Sequence, residues 1–224
     1  MAGPPVLLVH GLAASAASTW QEAGWIDLLT DAGREVIAPD LPGHGATAMP
    51  APAADPGLVT FVLGLLPDEA VQAIGFSLGA RTLLAAACEA PERFERLVLA
   101  GIGGRLLVPD DSSRRMADAI ETGDADDPMG RYFLDHARRS GTDPSTIVRI
   151  LRHQWPALTP EVLDRVAMPV LVVVGDRDVA AGPAAPLADA LPEGRALTLR
   201  DVDHFATPKA FGFLDAALEF VGAV

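Results

Sequence analysis

The strongest constraint on the fold of this 224-residue chain is its alternation of short apolar runs with helical segments. The apolar runs are rich in Val, Leu and Ile. Such runs are typical of strands that are buried on both faces, as in a parallel sheet that is covered by helices. The pattern predicts six strands, at Val6–Val9, Glu35–Ala38, Ala70–Ile74, Arg96–Ala100, Val170–Val174 and Ala196–Arg200.

Helical patterns follow most of these runs. Trp20–Asp31 places apolar residues on one side, and Leu78–Ala90 is rich in Ala and Leu and ends before a proline. Two further helices have start signals, one with Asp55 as cap and Pro56 at its first position, the other with Thr207 and Pro208. Strands and helices that alternate in this way predict an α/β fold with a doubly wound, mostly parallel sheet.

The segment 104–168 breaks this alternation. It contains turn clusters and helical stretches, the clearest at Arg131–Arg139 and Thr146–Trp155, but no strand-like run. A helical insertion between the fourth and fifth strands predicts a cap over the carboxyl edge of the sheet, where parallel α/β folds bind their ligands. No linker or internal repeat divides the chain, so we expect a single domain over residues 1–224 that includes this cap.

The charge balance is acidic, with 17 Lys and Arg against 30 Asp and Glu and a net charge of −13. Such a chain is a poor partner for nucleic acid, because binding to phosphates requires cations that replace the counterions. It also offers no long-range attraction to a polyanionic substrate. We therefore expect a small-molecule substrate that is neutral, or that binds in a locally neutral pocket, and no nucleic-acid partner.

Targeting and membrane signals are not found. No apolar run approaches the roughly 20 residues that span a bilayer. The apolar N-terminal segment lacks the preceding positive charge of a signal peptide, since the first basic residue is Arg34. The single cysteine, Cys88, allows no intramolecular disulfide. These features predict a cytoplasmic protein without a membrane partner.

One motif points to chemistry: Gly75-Phe76-Ser77-Leu78-Gly79 matches the pattern G-x-S-x-G. It directly follows a predicted strand and precedes a predicted helix, which is the context that a nucleophile elbow requires. Side chains at the two glycine positions would collide with neighbouring backbone in such a tight turn. The N–H groups at the helix start then face the oxygen that becomes negative during acyl transfer. A Gly-Ser turn without chemistry is the alternative interpretation.

Four further segments follow predicted strands: His10-Gly11-Leu12, Asp40-Leu-Pro-Gly-His-Gly45, Gly175-Asp-Arg-Asp178 and Asp203-His204-Phe205. Together with the elbow motif, they resemble the α/β-hydrolase superfamily, specifically its small, cofactor-free serine esterase-like branch. They match in order and spacing over the whole chain except the cap. The family usually begins with an antiparallel hairpin, but here the first strand starts near residue 5. We therefore expect six parallel strands in the order 2-1-3-4-5-6, without that hairpin.

The resemblance implies Ser77 as nucleophile and His204 as its base. A serine hydroxyl is a poor nucleophile unless an imidazole takes its proton during attack. His204 follows the last strand, in a loop that is expected to return toward Ser77. The resemblance makes the other histidines in strand-following loops, His10 and His44, structural. It also implies an oxyanion hole formed by backbone N–H groups, those of Leu12 and Leu78.

The supporting acid has four candidates near His204 or the preceding strand. The family's G-x-x-D pattern assigns it to Asp178, three residues after the glycine. Asp203 is adjacent to His204, so their side chains are expected to diverge. Asp201 is expected to cap its own loop, and Asp176 to bond backbone amides in its turn.

No metal or other cofactor is predicted, because the sequence lacks H-E-x-x-H, paired cysteines and carboxylate–histidine clusters. Candidate pocket residues are Trp20, Tyr132, Phe133 and Trp155. Tyr132 and Phe133 share one helical face of the cap, where packing against the sheet domain is an equal alternative.

The resemblance implies a hydrolase that cleaves a small or medium carboxylic ester through an acyl-enzyme intermediate. Serine at the elbow counts against the dehalogenase and epoxide-hydrolase branches. Lactonase, thioesterase, carbon–carbon hydrolase and perhydrolase activities use the same triad and stay open, because substrate choice depends on the cap and loops. A ligand-binding protein with vestigial catalysis is the alternative from another class. The oligomeric state does not follow from the sequence.

Overall fold

The computed structural model describes residues 3–51, 57–108, 111–123 and 128–224. Its centre is one six-stranded sheet in the order β2-β1-β3-β4-β5-β6, and every neighbouring pair is parallel. The predicted fold class and strand order are confirmed. The strands are β1 Val6–Val9, β2 Val36–Ile37, β3 Val71–Phe76, β4 Phe94–Ala100, β5 Val170–Gly175 and β6 Gly194–Leu199.

Strand boundaries differ from the predicted ones by one or two residues, at amino as well as carboxyl ends. β3 continues through Gly75 and Phe76, because these residues pair with Leu99 and Ala100 of β4. The elbow therefore begins at the last paired residue of the strand. The two edge strands are less well integrated into the sheet, because β2 pairs over only two residues and β6 is largely exposed.

Helices cover both faces of the sheet, and the alternation of side chains along each strand gives each face its own core. The sheet-covering helices are α1 Trp25–Asp31, α2 Gly57–Leu63, α3 Leu78–Glu89, α8 Ala185–Asp189 and α9 Phe211–Phe220. In β1, Leu7 and Val9 join a core under α2 and α3, whereas Val6 and Leu8 join a core under α1 and α9.

The predicted helical insertion lies between β4 and β5. It consists of α4 Ser112–Thr122, α5 Pro128–Ser140, α6 Pro144–Leu151 and α7 Pro160–Leu163. Ile120, Ala137 and Ile147 from α4, α5 and α6 form a small core with Ala13, which lies in the loop after β1. The cap is thus packed on the loop that was predicted to supply one oxyanion donor.

Several helix boundaries differ from the predicted ones. The segment predicted as one helix from Trp20 is divided at Gly24, whose φ of 81° is left-handed, so a short π-helical turn precedes α1. Thr207–Lys209 is a 3-10 turn, and the last helix starts only at Phe211. The helix predicted at Thr146–Trp155 is α6, which begins at Pro144 and ends at Leu151, and the Asp143 side chain caps it by accepting the Ser145 N–H. The helix start that was predicted at Asp55 and Pro56 lies outside the described residues.

Within the described ranges, no helix combines the length and apolar character that crossing a bilayer requires.

Candidate active site

Ser77 occupies the sharp turn between β3 and α3. Its φ and ψ of 52° and −112° are unfavourable for a non-glycine residue, and such strain is found mainly where surrounding structure enforces it. The Ser77 N–H donates a hydrogen bond to the Ala100 carbonyl at 2.8 Å, which holds the turn to β4. A Cβ at Gly75 would lie 2.6 Å from the Ala80 nitrogen, and one at Gly79 would collide with the Val9 carbonyl. Both positions therefore require glycine.

The structure brings Ser77, His204 and Asp178 together in one hydrogen-bonded chain. The Ser77 Oγ lies 3.0 Å from His204 Nε2, and His204 Nδ1 lies 2.7 Å from Asp178 Oδ2. The imidazole is mostly buried, with its ring 5.0 Å from the Phe76 ring. Because an ionised carboxylate can only accept hydrogen bonds, it favours the tautomer with the proton on Nδ1, and Nε2 is then free to accept the hydroxyl proton.

Asp178 forms hydrogen bonds through both of its carboxylate oxygens. Its side chain is fully buried, and its second oxygen, Oδ1, accepts the N–H groups of Ala180 and Ala181, each at 2.9 Å. These two donors stabilise the charged carboxylate and orient its other oxygen toward His204.

The three other aspartates of this region have different partners. Asp176 was predicted to bond amides of its own turn, but it accepts the N–H of Asp201, which follows β6, at 2.8 Å. Asp203 accepts the Ala206 N–H at 2.9 Å. Asp201, predicted to cap its own loop, instead forms an exposed ion pair with Arg177. Of the four candidates, only Asp178 is placed against the His204 ring.

Leu12 and Leu78 both line the cavity that contains Ser77 and His204. Leu78 is the first residue of α3, so its N–H has no acceptor within the helix. Leu12 lies in the loop after β1, beside Ala13, whose positive φ of 56° makes a tight bend. Both residues thus border the cavity at Ser77, and the oxyanion role of their N–H groups stays a prediction.

Two buried histidines hold the loops after β1 and β2 to each other. His44 Nε2 accepts the Ala13 N–H at 3.0 Å, and His10 Nε2 accepts the Leu41 N–H at 2.9 Å. A histidine nitrogen that accepts a hydrogen bond is unprotonated, so both rings act in their neutral form. Burial, and then the neighbouring His44, lower the pKa of His10 to about 4, and burial lowers the pKa of His44 as well.

This arrangement predicts acid destabilisation. The unfolded chain takes up a proton at the ordinary histidine pKa of 6.5, but folded His10 does so only near pH 4, so between these values the unfolded chain binds more protons. Stability should therefore fall as the pH falls. We expect His10 alone to account for about 2 kcal/mol of unfolding free energy lost between pH 7.5 and pH 4.5. Urea unfolding at both pH values measures this loss.

His10→Gln is the test variant, because glutamine keeps an acceptor for the Leu41 N–H but does not titrate. His153→Gln, at an exposed position of the cap, is the control. The loss should become smaller in His10→Gln and stay unchanged in His153→Gln. Equal losses in wild type and His10→Gln would contradict the assignment.

A cavity of about 230 Å³ opens beside Ser77. Its walls come from the loops at the sheet edge and from cap residues, among them Met116, Ile150 and Trp155. Arg81 and Arg105 also line it, and its described lining residues include no Asp or Glu. The expectation of a neutral substrate, or of a locally neutral pocket, stays a prediction.

A second cavity of about 370 Å³ lies next to the first. Arg81, Leu106 and Trp155 line both cavities, so these three side chains form the partition between them. The Arg81 guanidinium carbon stands 4.6 Å from the centre of the Trp155 ring. Beyond this partition the lining is mostly apolar, with Leu84, Leu158 and Val162 among its residues.

The predicted pocket residues have different positions. Trp155 lines the cavity. Trp20 does not, because the turn Ala17–Gln21 directs it into the core under α1, where it is fully buried and packs edge-on against Trp25. Tyr132 is not among the lining residues and stacks on Phe205 at 3.9 Å. The Phe133 side chain lies outside the described part of the structure.

Sequence reasoning missed Arg81 and Arg105 at the cavity. Arg81 had a detectable signal, because a residue four positions after an elbow serine lies one helical turn away on the same face of α3. Arg105, Met116 and Ile150 had none, since only the docking of the cap brings them to Ser77. Among the residues that the structure describes, no group of three or more His, Cys, Asp or Glu side chains could hold a metal ion.

Comparison with known proteins identifies similar chains. Residues 4–155 match the family model described as alpha/beta hydrolase fold. An uncharacterized protein of Mycobacterium bovis is 34% identical over 110 residues, which cover 46% of this chain and 30% of that protein. The chain therefore matches only about a third of the length of this curated relative.

Solved structures show the same fold over nearly the whole chain. The non-heme bromoperoxidase candidate BpoC of Mycobacterium tuberculosis H37Rv has a TM-score of 0.73 at 22% identity, with 99% of this chain and 92% of that one covered. The 2-hydroxy-6-oxo-6-phenylhexa-2,4-dienoate hydrolase of Rhodococcus sp. strain RHA1 has a TM-score of 0.70 at 23% identity, with 99% and 91% covered. At these identities the likeness establishes the fold alone.

Proposed function

Because the chain belongs to the α/β-hydrolase family, we propose that it is a serine hydrolase that cleaves a small or medium carboxylic ester through an acyl-enzyme intermediate. The observation that supports this most is the hydrogen-bonded chain from Ser77 Oγ through His204 to the buried carboxylate of Asp178. It ends at an open cavity, so the hydroxyl is accessible to a substrate.

The proposed reaction has two halves. In the first, Ser77 Oγ attacks the ester carbonyl carbon while His204 Nε2 takes the hydroxyl proton. The carbonyl oxygen becomes negative and is stabilised by the N–H groups of Leu12 and Leu78. The carbon–oxygen bond to the alcohol then breaks, and His204 returns the proton to the departing alkoxide. In the second half, water attacks the acyl-enzyme by the same steps and regenerates the serine.

The same residues would also serve a lactone, a thioester or an activated carbon–carbon bond, so the choice of an ester rests on the resemblance. The proposed cellular setting is cytoplasmic, with a small-molecule substrate and no nucleic-acid partner.

A fluorophosphonate probe tests the proposal at its first step. We expect one probe per chain, located on Ser77 by peptide mass spectrometry, and none on Ser77→Ala. A series of p-nitrophenyl esters of increasing acyl length should then give turnover with a single optimum. Without labelling and turnover, the chain would instead be a ligand-binding protein that keeps the fold.

Trp155→Ala should move the acyl-length optimum toward longer chains. The substitution removes part of the partition between the two cavities, which opens about 370 Å³ of further space to a substrate bound at Ser77. The measurement is kcat/KM over the p-nitrophenyl ester series. Tyr132→Ala is the matched control, because it removes an aromatic ring of the cap that does not line either cavity. An optimum that is the same in wild type and Trp155→Ala would mean that the partition does not limit the acyl group.

A further inference from the structure

Two buried histidines, His10 and His44, bond the loop after β1 on either side of one residue, Leu12. The Leu12 N–H is one of the two groups that are proposed to stabilise the oxyanion, and the residue lines the cavity at Ser77. The preceding Gly11 is so close to the elbow that a Cβ added to it would lie 3.5 Å from the Ser77 Cβ. A small rotation of the backbone here would therefore change how the Leu12 N–H faces the reacting carbonyl.

His10 bonds the peptide group that precedes Leu12. Its Nδ1 lies 2.8 Å from the Gly11 carbonyl oxygen, and because a carbonyl can only accept, Nδ1 carries the ring proton. Its Nε2 accepts the Leu41 N–H at 2.9 Å, as this tautomer requires. The peptide bond is planar and trans, so the Leu12 N–H points opposite to the Gly11 carbonyl and away from the His10 ring. The bond from Nδ1 thus fixes the direction of the Leu12 N–H.

His44 bonds the peptide group that follows Leu12. Its Nε2 accepts the Ala13 N–H at 3.0 Å, and its Nδ1 donates to the Pro42 carbonyl at 3.1 Å. Ala13 has a φ of 56°, and a residue with a Cβ keeps this conformation only where its surroundings enforce it. The hydrogen bond to His44 is one such constraint, and the packing of Ala13 in the small core of the cap is another.

A tether between the two loops explains only part of this arrangement. The bonds that join the loops are those accepted by Nε2 of each histidine, from Leu41 and from Ala13. The bond from His10 Nδ1 to Gly11 lies within the loop after β1, so it adds nothing to the tether. Its effect is on the peptide group that carries the Leu12 N–H.

We propose that His10 and His44 are positioning residues of the reaction. Through the peptide groups on either side of Leu12, they orient its N–H toward the carbonyl oxygen that becomes negative when Ser77 attacks. This inference rests on the proposed function and adds to it two residues that do not touch the reacting atoms. The stabilisation by an oxyanion donor depends on its direction, so a misoriented Leu12 N–H would weaken binding of the transition state and not of the ester.

Four conservative substitutions test the proposal, because a side-chain amide offers both a donor and an acceptor. The amide of asparagine reaches about as far as histidine Nδ1, and that of glutamine about as far as Nε2. His44→Gln therefore keeps an acceptor for the Ala13 N–H, and His44→Asn loses it. At His10 the order is reversed, since His10→Asn keeps a donor for the Gly11 carbonyl and His10→Gln loses it.

We expect kcat for the best p-nitrophenyl ester to fall about tenfold or more in His44→Asn and His10→Gln. It should fall less than about threefold in His44→Gln and His10→Asn, and KM should change less than about twofold in all four variants.

The affinity for a trifluoromethyl ketone with the same acyl chain should fall in proportion to kcat. In that adduct, Ser77 Oγ bonds to the ketone carbon, the hydroxyl proton passes to His204, and the ketone oxygen becomes the oxyanion. The inhibition constant thus reports on the oxyanion site without the later steps of turnover.

Trp25→Phe is the matched control, because it removes a different buried hydrogen bond, from Trp25 Nε1 to the Pro208 carbonyl at 2.8 Å. Its kcat and its inhibition constant should equal those of wild type, even if its thermal unfolding midpoint is lower. Circular dichroism shows which variants are folded, and if one histidine gives an unfolded variant, the pair at the other histidine decides.

The outcomes separate this inference from the proposed function. A kcat that is higher with glutamine than with asparagine at both positions would mean that the histidines only tether the loops, and it would overturn the inference. Four variants with the kcat of wild type would also overturn it, and in both cases the hydrolase stands. If wild type neither turns over esters nor is labelled at Ser77, the proposed function fails and this inference fails with it.

Discussion

Ser77→Ala should lower kcat for the best p-nitrophenyl ester by about 10⁴-fold or more, which leaves only the residual rate of binding and oxyanion stabilisation. The variant removes one hydroxyl, whose described partner is His204 Nε2. Alanine keeps the Cβ at the elbow, so the backbone strain at φ 52° is not increased. The midpoint of thermal unfolding should therefore stay close to that of wild type. Single-turnover and steady-state assays of purified protein measure the effect.

Ser140→Ala is the matched control, because it removes a serine hydroxyl at the end of α5, where the hydroxyl bonds Ala137 and Thr142. Its kcat should remain near that of wild type. The double variant Ser77→Ala with His204→Gln should have a kcat little below that of Ser77→Ala alone, because the two residues act as one unit. Residual activity of Ser77→Ala within tenfold of wild type would place the nucleophile elsewhere.

Asp178→Asn should lower kcat by about 10²-fold or more, because it favours the wrong tautomer of His204. Asp178 Oδ1 accepts two backbone N–H groups, so the oxygen of an asparagine would stay on that side and its NH₂ would face His204 Nδ1. An NH₂ donates, so Nδ1 would have to accept, and the ring proton would move to Nε2, where it faces Ser77 Oγ. The histidine could then no longer take the hydroxyl proton.

Asp176→Asn is the control for Asp178→Asn, and it should lower kcat by less than about tenfold. Asp176 accepts the Asp201 N–H through Oδ1, and an asparagine oxygen can accept the same hydrogen bond. The measurement is kcat of both variants with the same ester, beside far-ultraviolet circular dichroism. A larger loss in Asp176→Asn than in Asp178→Asn would assign the supporting acid to Asp176.

The sequence by itself determined the sheet and the elbow. Strands buried on both faces are mostly apolar, so β1 and β5 are visible as unbroken apolar runs. β3 and β4 are visible as runs with polar residues only near their starts, at Gln72 and at Glu95 and Arg96. The elbow is visible because its glycines stand at fixed offsets from Ser77, where the close approach of Val9 and Ala80 excludes a Cβ. Both signals can be detected from consecutive residues, although the contact with Val9 that requires Gly79 is itself long-range.

Only the tertiary structure decided the surroundings of the site. Trp20 looked like a pocket residue, but its burial beside Trp25 depends on a turn at Ala17–Gln21 that no local pattern specified. Likewise Arg105, Met116 and Trp155 come from separate parts of the insertion, and their meeting at one cavity depends on how the cap helices pack on one another and on the loop after β1. The contacts between the cap and the sheet domain join residues that are far apart in sequence, so no local pattern specifies them. The residues that face the substrate therefore follow only from the three-dimensional position of the cap.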